Sequence, residues 1–267
     1  MYCAVVDVLM LGTGAADGWP NPFCICDSCL WAQRNGKIRT PTSVLVDKVL
    51  LIDSGPEAPR QALRAGVNLS AVRTVLISHV HTDHFDPAFL LHRSWVTDEP
   101  LTLIGPEPVI AECGLWLEPG QTSVSLRSVT AGCVIHEDGY KITVLPASHE
   151  ALGEAVLYLI DDGRRRVLYA CDTGPWAPLI EERLAGVHLD LVILEQTFGD
   201  REDLTREKHL GIESFVEWID VLRRVEAVDE RTTVVAAHLS HHNPINLEQR
   251  MERLGITVLE DGAGISI

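Results

Sequence analysis

The sequence lacks any uncharged apolar run near the roughly 18 residues that a membrane-spanning helix needs. No membrane partner is therefore expected. Its opening segment, Met1-Tyr2-Cys3-Ala4-Val5-Val6-Asp7, has neither a basic start nor a long apolar stretch, so it does not read as a secretory signal. Cations are scarce: 22 Lys and Arg stand against 38 Asp and Glu, giving a formal charge of −16. So acidic a surface repels polyphosphates at long range and makes a nucleic-acid polymer a poor partner. Aromatic residues amount to 6% of the chain, and no aromatic stripe suggests base stacking. The seven cysteines are an odd, unevenly spaced set. That fits a reduced, cytoplasmic setting better than a disulfide framework.

What the sequence does have is core. Apolar residues make up 46% of 267, enough to fold without staples, and residues 1–267 read as one domain. Short β-branched runs alternate with helical patterns. Strands are expected over Val5 to Leu11, Ser43 to Val46, Val49 to Ile52, Thr74 to Ile77, Leu101 to Ile104, Lys141 to Leu145, Ala155 to Ile160, Arg166 to Ala170 and Leu189 to Leu194. Hairpins are expected at Asp47-Lys48 and Asp161-Asp162-Gly163. Helices are expected over Glu57 to Ala65, Ile212 to Val225 and Leu247 to Leu254, with Thr257 to Leu259 as the closing strand. Composition and pattern alone support a mixed α/β fold.

The densest chemistry lies in His79-Val80-His81-Thr82-Asp83-His84, directly after the apolar run Thr74-Val75-Leu76-Ile77. Imidazole nitrogens and carboxylate oxygens are the donors that borderline metals such as zinc prefer. Further donors follow at the ends of strand-like segments: His149 after Val144-Leu145-Pro146, Asp172 after Val167 to Cys171, and His238 after Thr233 to Ala237. Open α/β layers keep their ligand sites where strands run out.

His79-x-His81-x-Asp83-His84, followed in order by a lone His, an Asp and a late His, resembles the metallo-β-lactamase superfamily of binuclear hydrolases. The resemblance implies a four-layer αββα sandwich. It further implies a first metal held by His79, His81 and His149, a second held by Asp83, His84 and His238, and Asp172 bridging the two. Asp53, in Leu51-Ile52-Asp53-Ser54-Gly55, matches the family's early Asp, which orients ligands instead of binding metal. Two cations sharing a carboxylate would bring a water's pKa down toward neutrality and yield a hydroxide nucleophile. Zinc, manganese or iron suits this mixed N/O donor set.

Cys24-Ile25-Cys26-Asp27-Ser28-Cys29 puts three thiols at C-x-C-x2-C spacing, and a closed zinc site wants a fourth donor. His241, three residues beyond His238, is the candidate. Together with Gly12-Thr13-Gly14, these features resemble the PhnP-type branch, which includes the phosphoribosyl cyclic phosphodiesterase. Glu195-Gln196-Thr197-Phe198-Gly199 and Lys208-His209-Leu210-Gly211 are also similar to its pattern. By that resemblance the expected reaction is hydrolysis of a small, cyclic ribose phosphodiester. Asp83 is expected to take the nucleophile's proton and His209 to protonate the leaving oxygen. A homodimer is a further expectation of the family. Competing readings are a tRNA 3′-processing nuclease, a hydrolase of another ester or lactone, and a non-catalytic binding or carrier protein of the PqqB kind.

Overall fold

A computed structural model describes residues 5–117, 120–149, 152–174, 178–201, 203–204 and 208–267. The first half of the chain runs β1 (Asp7–Gly12), α1 (Asp27–Arg34), β2 (Ser43–Val46), β3 (Leu50–Ile52), α2 (Ala58–Arg64), β4 (Thr74–Leu76), α3 (Ala88–Ser94), β5 (Leu101–Gly105), α4 (Glu107–Gly114) and β6 (Val124–Ser128). The second half runs β7 (Val134–Glu137), β8 (Tyr140–Pro146), β9 (Val156–Asp161), β10 (Arg166–Ala170), α5 (Pro178–Leu184), β11 (Leu191–Glu195), α6 (Ile212–Arg224), β12 (Thr233–Ala237), α7 (Leu247–Glu252), β13 (Thr257–Val258) and β14 (Gly264–Ser266). Two seven-stranded sheets result, ordered β14-β1-β2-β3-β4-β5-β6 and β13-β12-β11-β10-β9-β8-β7.

Strand alternation explains the layering. In β3, Leu50 and Ile52 face the other sheet while Leu51 faces outward; in β10, Val167 and Tyr169 face inward while Leu168 and Ala170 face outward. The inward sets of both sheets form one apolar layer. Outward residues of the first sheet meet Ala62 of α2, Leu90 of α3, and Val109 and Cys113 of α4. Those of the second sheet meet Ile180 and Leu184 of α5, Met251 of α7, and the α6 stripe of Phe215, Trp218, Ile219 and Leu222. Strands with two apolar faces need cover on both sides, and the outcome is the expected αββα sandwich. No helix among the described residues is long and apolar enough to cross a membrane.

The end of the chain corrects one expectation. Thr257 to Leu259 does not close the fold. The chain passes on to β14, which returns to the first sheet and pairs antiparallel with β1, Asp7 opposite Ser266. With two glycines and little apolar content, Gly262-Ala263-Gly264-Ile265-Ser266 carries almost no strand signal. Helices α1, α3, α4 and α5 and strands β6 and β7 are also additional to those expected from the sequence.

The topology gathers one class of position. β3 and β4 run parallel, as do β10, β11 and β12. Their carboxyl ends release Asp53, the His79 segment, Asp172, Glu195 and His238.

Candidate metal centre

Three of these exits share a backbone device. Asp53, Asp172 and His238 take φ of 54°, 54° and 56°, the left-handed region that a non-glycine residue enters at a cost of about 1–3 kcal/mol. Each follows the last residue of its strand by one or two positions, so the chain kinks as it leaves the sheet. At Gly55 a Cβ would stand 2.0 Å from the Asp83 carbonyl oxygen. Only glycine lets the Asp53 and Asp83 loops touch.

The structure brings all seven predicted donors together. Nε2 of His79 and Nε2 of His149 lie 2.9 and 3.1 Å from Nδ1 of His81, and both face Oδ2 of Asp172 at 3.4 and 3.5 Å. On the other side, Nε2 of His238 and of His84 face Oδ1 of Asp172 at 2.8 and 3.3 Å. Oδ2 of Asp83 lies 3.1 Å from the same His84 nitrogen. Each oxygen of Asp172 therefore addresses a different cluster. His79 and His81 do not share a strand, because β4 ends at Leu76. Their rings meet edge to face in the loop beyond it.

Protons on the far nitrogens can be deduced. Asp53 accepts from His84 Nδ1 at 2.6 Å, from Tyr169 Oη at 2.6 Å and from Ser78 Oγ at 2.9 Å. Ser78 spends its proton on Asp53, so its oxygen accepts from His79 Nδ1. Lys208 offers its carbonyl to His149 Nδ1. Thr197 donates to Glu195, so its oxygen accepts from His238 Nδ1. In all four rings Nε2 is thereby the nitrogen turned into the cavity, and its lone pair becomes available to a cation once any proton on it is displaced.

Within the described residues, His84 Nε2, His238 Nε2 and Asp172 Oδ1 are buried without a hydrogen-bond partner. Burying such atoms unpaired is costly. A divalent cation bound between them satisfies all three, so these donors fit a metal.

Charge at the site divides in two. Burial pulls His149 down to about 4 and His81 below its usual value, keeping those rings neutral. Burial opposes charge on His238 as well, but Asp172 and Asp83 outweigh it and raise His238 to about 10. Asp172 and Asp83 are held well below the usual carboxylate range by His238 and His84, against the effect of burial. A cation entering the second cluster must displace those imidazole protons.

His209 stands beside this centre. Its ring stacks on His238 at 5.5 Å and 10°, and its Nδ1 lies 3.1 Å from Oε1 of Glu195. Burial would lower His209, yet Glu195 raises it above the ordinary histidine value. Glu195 lies in a segment whose pattern resembles the family's, but nothing in that pattern points to its carboxylate as a partner of His209. Glu195 also accepts from the backbone of Thr173 and Leu210, which fixes its position at the end of β11. Tyr169 and Ser78, the partners of Asp53, have no motif to reveal them.

A second cluster forms from Cys24, Cys26, Cys29 and His241, whose donor atoms all lie within 4.8 Å of one another. Cys26 caps α1, accepting from the Cys29 backbone. Nδ1 of His241 lies 3.6 Å from Cys26 Sγ, and its Nε2 lies 3.3 Å from Asp17. Burial and the neighbouring thiols push Cys29 up to about 12. Against its own burial, hydrogen bonds from His241 and the Cys29 backbone hold Cys26 at about 6. Three thiols and one imidazole this close together could hold a metal ion.

The family model described as "Beta-lactamase superfamily domain" matches residues 48–253. Ribonuclease Z of Mycobacterium marinum is 24% identical, with 90% of this chain and 87% of that protein covered. Ribonuclease Z of Mycobacterium avium is 27% identical, and the match covers 66% of each chain, just under two thirds of that relative's length. Among solved structures, a diphosphatase from the PhnP family superposes with a TM-score of 0.76 at 20% identity, covering 99% of this chain and 98% of the other. Zn(2+)-bound PqqB from Methylobacterium extorquens gives 0.75 at 20%, covering 98% and 100%. A family model spanning well over half of the sequence, on this fold, shows that the chain belongs to the metallo-β-lactamase superfamily of metal-dependent hydrolases.

Proposed function

We propose that the protein is a binuclear phosphodiesterase acting on a small, cyclic ribose phosphodiester. The observation that carries this reading is the division of Asp172 between two donor clusters, with a carboxylate-backed His209 alongside. His79, His81 and His149 would hold one divalent cation and Asp83, His84 and His238 the other, with Asp172 offering one carboxylate oxygen to each cluster. Zinc or manganese suits these donors. Two such cations, when bound, supply an acidified water and neutralise charge on the phosphoryl oxygens.

The chain's own residues do the rest. Asp83 accepts the proton released by the attacking water. His209 keeps Nδ1 on Glu195, which leaves Nε2 to donate a proton to the departing oxygen, a step worth roughly 10²–10⁴ in rate. Asp53 holds His84 in the tautomer that presents Nε2. Cys24, Cys26, Cys29 and His241 would hold a separate zinc that ties α1 to the loop after β12.

His209→Ala tests the assignment. Turnover of a cyclic phosphodiester is expected to drop at least ~100-fold with metal content unchanged. An unchanged rate removes the role of His209.

A second reading, tRNA 3′-end processing, draws support from the similarity to proteins named ribonuclease Z. The acidic surface weighs against it, as does the plain β9–β10 hairpin that fills most of the interval between His149 and Asp172. Cleavage of a precursor tRNA faster than of a cyclic mononucleotide would favour this alternative.

A further inference from the structure

The outer face of the second sheet carries a charged row away from the donor clusters. Register places Lys141 of β8 opposite Asp161 of β9, and Asp161 opposite Arg166 of β10. The neighbouring row on the same face is Val134 of β7, Thr143 of β8 and Leu159 of β9. Both rows line a cavity of about 280 Å³, together with Arg183 in the last turn of α5 and Gly186 and Val187 just beyond it. That volume is close to the roughly 300 Å³ at which small-molecule sites begin. Arg166 opens β10 and Asp172 follows its end, roughly 20 Å of extended chain away. The cavity therefore lies toward the opposite end of the strand from the candidate metal centre.

Charge in this cavity runs against the rest of the molecule. Lys141, Arg166 and Arg183 face one carboxylate, Asp161, which leaves a positive excess on a chain whose formal charge is −16. That carboxylate is already engaged. Its Oδ2 accepts from Arg166 Nε at 2.9 Å and its Oδ1 from the Gly163 backbone at 2.7 Å. The Arg166 fork is held there, with Nη1 3.4 Å from the His188 carbonyl oxygen. Among the described residues, the ion pairs of this region are Arg165 with Asp190 and Arg166 with Asp161, and neither Lys141 nor Arg183 has a carboxylate partner. Uncompensated cations around one cavity repel one another, and an anion between them relieves the repulsion. Guanidinium forks and an ammonium are the side chains that hold phosphate. A phosphate monoester is a dianion, which matches three cations less one carboxylate. Val134, Leu159 and Val187 offer an apolar wall beside them. We infer that this cavity binds a small phosphate monoester with an apolar body, at a site separate from the candidate metal centre. The site does not depend on the phosphodiesterase reading.

The probe is phenylphosphonate, a dianion at mildly alkaline pH with an apolar ring and no ester bond to cleave. It is titrated into zinc-loaded, isotope-labelled protein and followed by amide chemical shifts. Saturable shifts are expected at Val134, Thr143, Gly186 and Val187. Lys141→Ala and Arg183→Ala truncate exposed side chains. Each is expected to weaken the binding read at those amides about tenfold or more, with metal content unchanged. Inorganic phosphate is expected to bind more weakly than phenylphosphonate, because it leaves the apolar wall uncovered. Shifts confined to residues around Asp172, or cavity binding that either variant leaves at wild-type strength, overturn the site. Equal affinity for the two anions overturns its assignment to an organic ester.

Discussion

His209 Nδ1 lies 3.1 and 3.2 Å from the two carboxylate oxygens of Glu195, a side chain with no exposure to solvent. Both oxygens are within reach of one ring nitrogen, so Glu195 fixes the ring's orientation as well as its charge. His209 therefore differs from its neighbours His149 and His81, which burial keeps neutral.

That pairing sets a pH dependence. The folded-state pKa of His209 is raised, so its acid form persists above the ordinary histidine range. Activity that needs the acid form is present below that raised value and is lost as pH rises through it. Glu195→Gln removes the raising charge and leaves burial, which lowers. The alkaline limb of the kcat profile is expected to move to lower pH in this variant, with metal content preserved. An unmoved limb would show that Glu195 does not tune His209.

Asp53 carries a different kind of influence. It touches His84 at 2.6 Å, while Tyr169 and Ser78 hold it in place. Asp53→Asn disturbs the tautomer that frees His84 Nε2. Metal affinity is expected to fall on the order of 10–100-fold, measured by competition with a chelator. Tyr169→Phe removes one of the hydrogen bonds to Asp53 and is expected to have a smaller effect in the same direction. Wild-type affinity in both variants would contradict the arrangement.

The cysteine cluster gives a chemical contrast. With Cys26 held at about 6 and Cys29 pushed up to about 12, metal-free protein at neutral pH carries its thiolate at Cys26. Iodoacetamide is expected to alkylate Cys26 well before Cys29, by peptide mapping, and added zinc to suppress both. Equal alkylation of the two, or no protection by zinc, would count against a shared site.

Much of the fold and of the candidate donor cluster is legible in the sequence because the signals are local. The His79 to His84 segment packs four donors into six residues. The strands feeding Asp172 and His238 are mostly apolar runs buried on both faces. Phe215, Trp218, Ile219 and Leu222 show the period of a helix by their spacing alone. The features that are not legible are set by distant partners. β14 becomes a strand through β1, at the opposite end of the chain. Tyr169 reads as one more inward residue of β10 until Asp53, 116 positions away, arrives at its hydroxyl. Glu195 looks like the end of a buried strand, and only the return of the chain at His209 gives its carboxylate a purpose. The left-handed kinks at Asp53, Asp172 and His238 have only a weak signature in residue type: Asp and His enter that region more often than most side chains, but glycine is the usual choice.

Metal stoichiometry tests the central claim most directly. Protein equilibrated with zinc, freed of excess and subjected to elemental analysis is expected to hold three ions per chain. Asp172→Ala is expected to lose at least one and keep the ion of the cysteine cluster. One ion or none in the wild type, or the full complement in Asp172→Ala, would contradict a two-metal centre bridged by Asp172.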